Sequence, residues 1–248
     1  MQTLVRVCLT NCVAPATFPG SSALVLRLPP SPLKKKTNKK KKHTHTLQPI
    51  QHYARSTYTR VQNLDNGTGA PVGNAERYAV LTRDGVRIGV MGLVEEDWIT
   101  TLSHPPSGLL FTDFVQKGRE LEHALRTTHK CDVIIALTHM RWPNNEKLAA
   151  EVSGIDLVLT GHDHFYKTSV INNTPIVISG SDFRYLSEIE LTLADEPSHE
   201  KKAELSKCVK HTVTAAFPEN ETIKSMLSGL QAEIEKVSNI FLFVQKSI

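Results

Sequence analysis

The chain alternates between apolar runs and helical spacings in an order that predicts strands joined by helices. Tyr78–Leu81 and Val86–Val94 are β-rich runs. The Asp84-Gly85 between them is a strong signal for a two-residue hairpin turn. From Thr112 to Lys130, Phe114, Val115, Gly118, Leu121 and Leu125 recur on one helical face, with Asp113 and Gln116 placed as a capping pair. Asp132–Thr138 is a continuous apolar run, expected of a strand buried on both faces. A short helix over 144–152 turns Leu148, Ala149 and Val152 inward and stops at Gly154, and 155–159 is the next buried strand. Tyr166–Ile171 and Pro175–Ser179 read as a hairpin across Asn172-Asn173-Thr174, and Leu186–Leu193 alternates with period two. A polar linker is expected over 194–207, then a helix carrying Ile223, Met226, Leu227, Leu230, Ile234 and Val237. Residues 1–60 show no sustained period and are expected to be disordered.

This order makes an α/β chain. In a right-handed βαβ unit, parallel strands end on one sheet edge, where α/β proteins build their sites. His139 and His162 each follow an apolar strand of such a unit and are expected at that shared edge.

Charge divides the chain more sharply than its averages show. No Asp or Glu precedes Asp65, whereas 11 Lys and Arg do. The remaining 18 of the 29 bases face all 25 acids, so the part from Asp65 onward carries a net −7. A basic whole-chain pI of about 8.8 therefore describes an appendage, and the rest has an ordinary globular composition long enough to bury a core. Lys34–Lys42 holds seven lysines, whose repulsion favours a solvated coil; it could also serve as a nuclear-localisation signal or a tether to nucleic acid. The four cysteines form neither a CxxC pair nor a disulfide framework, and Cys131 reads as a small core thiol. No apolar run reaches membrane-spanning length and no convincing secretory signal opens the chain, which favours a cytoplasmic location.

Leu159-Thr-Gly-His-Asp-His164 carries the chemistry. A histidine after a strand is commonly a satisfied surface residue, but a Gly-His-x-His element preceded by a second histidine-ended strand points to metal ligation. Neutral imidazole suits zinc, manganese and iron. His162 and His164, one residue apart, point in different directions and suit two nearby metals better than one. Asp163 could orient a ligand histidine or simply form the turn.

These residues, with Gly85-Val-Arg-Ile-Gly-Val-Met-Gly-Leu93, Ala136-Leu-Thr-His139, Asn173-Thr-Pro-Ile-Val177 and Ser179-Gly-Ser-Asp-Phe-Arg184, occur in order and at sensible spacing. From about Asp65 to Glu190 the chain resembles the C-terminal half of a calcineurin-like metallophosphoesterase domain, nearest the 5′-nucleotidase family. The resemblance implies a partial β-sandwich flanked by helices. It also implies two divalent metals of the zinc, manganese or iron type, and hydrolysis of a phosphorylated small molecule, a nucleotide above all. By the same resemblance His139 and His162 would bind one metal and His164 the other, while Arg184 would lie near the site or pair with an acid. The family's Asp-x-His, Gly-Asp-x-x-Asp and Gly-Asn-His-Asp/Glu motifs do not occur before Asp65. The expected organisation is a basic segment over 1–60, the half-domain over 65–195, and over 196–248 a linker and helix leading toward the family's nucleoside-gripping domain. The expectation is a metal site incomplete in itself and a chain weakly active or inactive alone. The rival expectations are a non-catalytic metal-binding or interaction module with a Lys-rich nucleic-acid-binding tail, and an incomplete gene model.

Overall fold

A computed structural model describes residues 4–12, 21–27, 63–72, 76–83, 85–101, 105, 107–193, 203–228 and 230–231. The Lys34–Lys42 run lies outside the described residues. Strands are β1 Leu4–Cys12, β2 Ser21–Arg27, β3 Leu64–Asp65, β4 Ala79–Arg83, β5 Val86–Val94 and β6 Leu110–Phe111, then β7 Val133–Met140, β8 Leu157–His162, β9 Tyr166–Ile171, β10 Thr174–Ser179, β11 Tyr185–Leu193 and β12 Ala203–Thr212. The helices are α1 Phe114–Thr127 and α2 Trp142–Glu151, with a 3-10 helix over Glu96–Thr101.

Two sheets form the frame, one of order β4-β5-β7-β8-β10-β9 and one of order β12-β11-β1-β2. Within the first, β5, β7, β8 and β10 run parallel and the outer strands β4 and β9 are antiparallel. Alternation along each central strand divides its side chains between two cores. Met91, Leu93, Ile134, Ala136, Val158, Ile176 and Ile178 pack with α1 and α2. Val86, Ile88, Val90, Val133, Ile135, Leu137, Leu157, Leu159 and Val177 pack with Ile189, Leu191 and Ala203 of the second sheet. The α/β order expected from the pattern, and the β-sandwich flanked by helices that the resemblance implies, are therefore the observed architecture.

Local sequence explains the elements that carry the frame. Arg83 pairs with Val86 and Gly85 has φ 85°, as a tight hairpin between β4 and β5 requires, while Asp84 of the expected turn lies outside the described residues. Asp113 caps α1, its carboxylate accepting from Val115 N at 2.9 Å and Gln116 N at 3.1 Å. The predicted face of α1 is the buried one. It lies so close to β5 that a Cβ on Gly89 would meet Leu125 at 3.0 Å and Cys131 Sγ at 3.1 Å. Asn172 and Asn173, at φ 45° and 60°, turn β9 into β10 as a primed hairpin requires.

Three segments depart from expectation. Residues 4–12 and 21–27, expected to lack regular structure, are strands: β1 pairs antiparallel with β11 and β2. Their order comes from pairing with a sheet strand distant in sequence, which no local period announces. Residues 203–207, expected within a linker, begin β12, which pairs with β11 through a register shift between Glu190 and Leu191. As the outer strand of its sheet, β12 turns only Ala203 fully inward, with Leu205 and Cys208 partly buried, and carries Lys207 and Lys210, which protect an edge from further pairing. Residues from Val213 onward form a separate unit, in which 221–228 are helical and Asn220 caps the start, accepting from Thr222 N and Ile223 N at 3.1 Å each. Among the described residues no helix is long and apolar enough to cross a membrane.

One buried ion pair joins four elements. Asp156, fully buried before β8, pairs with Arg126 of α1 and also accepts from Ile134 N at 2.7 Å and Ala203 N at 2.9 Å. The Arg126 guanidinium further donates to Cys131 O and Asp132 O at 3.0 Å each and to Gly154 O at 2.8 Å. Removing the carboxylate strands a buried cation and two backbone N–H groups. Asp156→Ala is therefore expected to destabilise the chain by about 3–5 kcal/mol, read as a lowered urea midpoint. A loss below about 1 kcal/mol would show that the junction is not what holds these elements.

Candidate metal centre

β7 and β8 deliver the two histidines. Their parallel register sets His139 opposite Gly161 and Met140 opposite His162. In a regular ladder His139 and His162 would therefore project to opposite faces. His162 instead has φ 84°, a left-handed conformation uncommon for a residue with a side chain. This turn, beside a Gly161 that presents no side chain, brings the rings together. His139 Nε2 and His162 Nδ1 are 3.3 Å apart, and the rings meet edge to face with centroids 5.1 Å apart.

That separation fits a shared cation. Imidazole nitrogens about 2.0–2.1 Å from a tetrahedral metal stand roughly 3.3–3.4 Å from each other. Imidazole nitrogens are also a donor type that suits divalent zinc and iron. Among the described residues, no group of three or more His, Cys, Asp or Glu stands together as a metal cluster. His164 is exposed and is not gathered with the pair. Asp163 faces α2, where its Oδ2 accepts from Trp142 N at 2.7 Å. Arg184 is exposed and pairs with Asp182 at 3.5 Å.

The start of α2 forms one wall of this edge. Its first residues lack a side-chain cap of their own, Arg141 standing at the cap position and Pro143 in the first turn. Carboxylates from two strand ends supply the missing acceptors. Glu95, directly after β5, accepts from Arg141 N at 3.0 Å and Asn144 Nδ2 at 2.6 Å through Oε2, while Asp163 takes the next amide. Asn63, itself buried, clamps the end of β5 by donating to Val94 O at 2.7 Å and accepting from Val94 N at 3.0 Å. Buried Asn145 fixes the turn after His139, donating to Met140 O at 2.9 Å and Arg141 O at 3.1 Å. The Arg141 guanidinium is held more strongly protonated than usual by its hydrogen bond to Asp97, then by the charge of Glu95. Sequence reasoning missed Glu95. The available signal was the one that found His139, a chemistry-bearing residue directly after an apolar strand.

No protein-family model matches the chain. It is 29% identical over 170 residues to the trifunctional nucleotide phosphoesterase protein YfkN of Bacillus subtilis, a match covering 65% of this chain and 11% of that protein. It is 32% identical over 107 residues to a 5′-nucleotidase of Diplobatis ommata, covering 42% of this chain and 18% of that one. The solved structure of the calcineurin-like phosphoesterase YfkN from B. subtilis superposes with a TM-score of 0.58 at 21% identity, over 72% of this chain and 63% of that chain. The chain thus spans less than a fifth of the length of these two sequence relatives. The fold is that of the solved calcineurin-like phosphoesterase. The sequence relatives are named nucleotide phosphoesterase and 5′-nucleotidase.

The backbone at His162 yields a test independent of activity. A left-handed φ penalises any Cβ, by roughly 1–2 kcal/mol, and glycine escapes that penalty. His162→Gly is expected to be more stable than His162→Ala by about 1 kcal/mol, measured by urea denaturation. Equal stabilities, or a more stable alanine variant, would show that residue 162 is not held in a strained turn.

Proposed function

We propose that the chain is a metal-dependent phosphoesterase component acting on phosphate esters of nucleotides, with His139 and His162 holding one divalent metal. The carrying observation is the 3.3 Å His139–His162 pair at the C-terminal ends of adjacent parallel strands. A divalent metal there would supply Lewis acidity toward a phosphoryl oxygen. The chain's own residues set the conditions for it. β7 and β8 hold the two imidazoles from a rigid sheet, and the capped start of α2 closes one side of the edge. His164 is proposed as a ligand toward the family's second metal, from the loop just beyond β8.

Two imidazoles without a bridging carboxylate bind a metal more weakly than a full ligand set, so this ligand set alone is expected to support only slow turnover. The test uses nucleoside monophosphates with the full chain and added zinc or manganese. Weak phosphate release is expected, removed by a chelator and lost in both His139→Ala and His162→Ala. Release that persists in these two variants would overturn the proposal. So would a failure of the wild-type chain to bind either metal.

A further inference from the structure

We propose that Glu95 is a positioning residue for the histidine pair: its Oε1 takes the Nε2 proton of His162, so that Nδ1 faces His139 Nε2 as a lone-pair donor. The inference rests on the reading of that pair as metal ligands, and it assigns a role to a carboxylate with no sequence motif of its own.

Three observations carry it. The Glu95 side chain is 3% exposed, and its Oε1 is one of the few buried side-chain oxygens among the described residues that has no hydrogen-bond partner. Leaving such an atom unsatisfied is costly, so a nearby donor is strongly favoured. Two nitrogens face it, His162 Nε2 at 3.8 Å and Arg141 Nη1 at 3.6 Å. Arg141 Nη1 already donates to Asp97 Oδ2 at 2.6 Å, and that side chain is half exposed. Nη1 keeps a second N–H, but His162, 26% exposed against 53% for Arg141, is the more enclosed of the two donors and has less access to water as an alternative partner. A movement of roughly 0.6–1 Å brings the pair to hydrogen-bond length.

The geometry also separates orienting from ligating. Glu95 meets His162 at Nε2, whereas His139 meets it at Nδ1, on the other edge of the same ring. A carboxylate on the far nitrogen does not share a metal with His139. It fixes the tautomer and the ring plane, the arrangement that makes a histidine a better ligand. The carboxylate is itself held fast, because Arg141 N and Asn144 Nδ2 both donate to Oε2.

That last point gives a sharp test. In Glu95→Gln the amide oxygen must occupy the Oε2 position, since both neighbours there are donors. Its NH2 group then faces His162 Nε2 and requires an acceptor, which drives the ring proton to Nδ1. Long-range nitrogen–proton correlation spectra of the metal-free full chain, at a pH of about 9 where an ordinary imidazole is neutral, report the tautomer directly. The His162 signals are assigned by their loss in His162→Gln.

The wild-type chain is expected to hold the Nε2–H form and Glu95→Gln the Nδ1–H form. Asp97→Asn, which alters the Arg141 pair alone, should keep the wild-type tautomer. Zinc affinity, measured by competition with a chromophoric chelator, should fall about 10- to 100-fold in Glu95→Gln. An Nδ1–H wild-type form, or the same tautomer in both chains, overturns the proposal. If Glu95→Gln does not fold, the wild-type spectrum decides alone. An inverted tautomer in a chain that binds no zinc supports the Glu95–His162 bond and overturns the metal reading instead.

Discussion

The buried Asp156–Arg126 pair is the constraint from which the geometry of the site follows. A carboxylate with no solvent must be satisfied by donors, and the available donors come from α1, β7 and β12. Satisfying it fixes where β8 begins relative to each of them. Once that start is set, the parallel ladder carries the register upward, and His139 arrives opposite Gly161. The left-handed turn at His162 adds the final correction, converting a neighbour on the wrong face into a partner 3.3 Å away. Charge pairing at the bottom of the sheet and backbone strain at its top thus act on the same strand.

The top edge economises on acids. α2 needs acceptors at its first amides, and Glu95 and Asp163 meet that need from two different strand ends. Both lie within reach of the charged Arg141, so helix capping and the electrostatics of the metal edge are one network. Changing either acid therefore disturbs the seating of α2 as well as the chemistry beside it.

Elements that bury one regular face were legible in the sequence. The α1 stripe from Phe114 to Leu125, the continuous run of β7 and the Asp-Gly connection each fix local structure by local chemistry. So was the edge at which His139 and His162 meet, because right-handed crossovers dictate it. What escaped depends on distant partners. β1 and β12 owe their order to β11, and the polar alternation of β12 looks like a linker until its own Ala203, Leu205 and Cys208 are seen packed into the core beside Ile189 and Leu191. Glu95 escaped for a related reason: an acid after a strand is unremarkable until its neighbours, the α2 amides and the His162 ring, are brought to it by the fold. The 3.3 Å approach of the rings depends on one torsion angle, which no residue pattern encodes.

The two sheets differ in the order in which the chain can assemble them. In the six-stranded sheet β4, β5, β7 and β8 are added in sequence order, each beside the last. In the four-stranded sheet β1 must keep one edge open until β11 has been made. During synthesis Arg126 and Ile134 N can already hold one Asp156 oxygen, and the histidine pair can be in place, before Ala203 N reaches the other oxygen and while Ile88, Val90, Ile135 and Leu157 still lack the cover of Ile189 and Leu191. Such an intermediate has a formed ligand edge and an uncovered apolar face, and it is the species most exposed to aggregation before the sandwich closes.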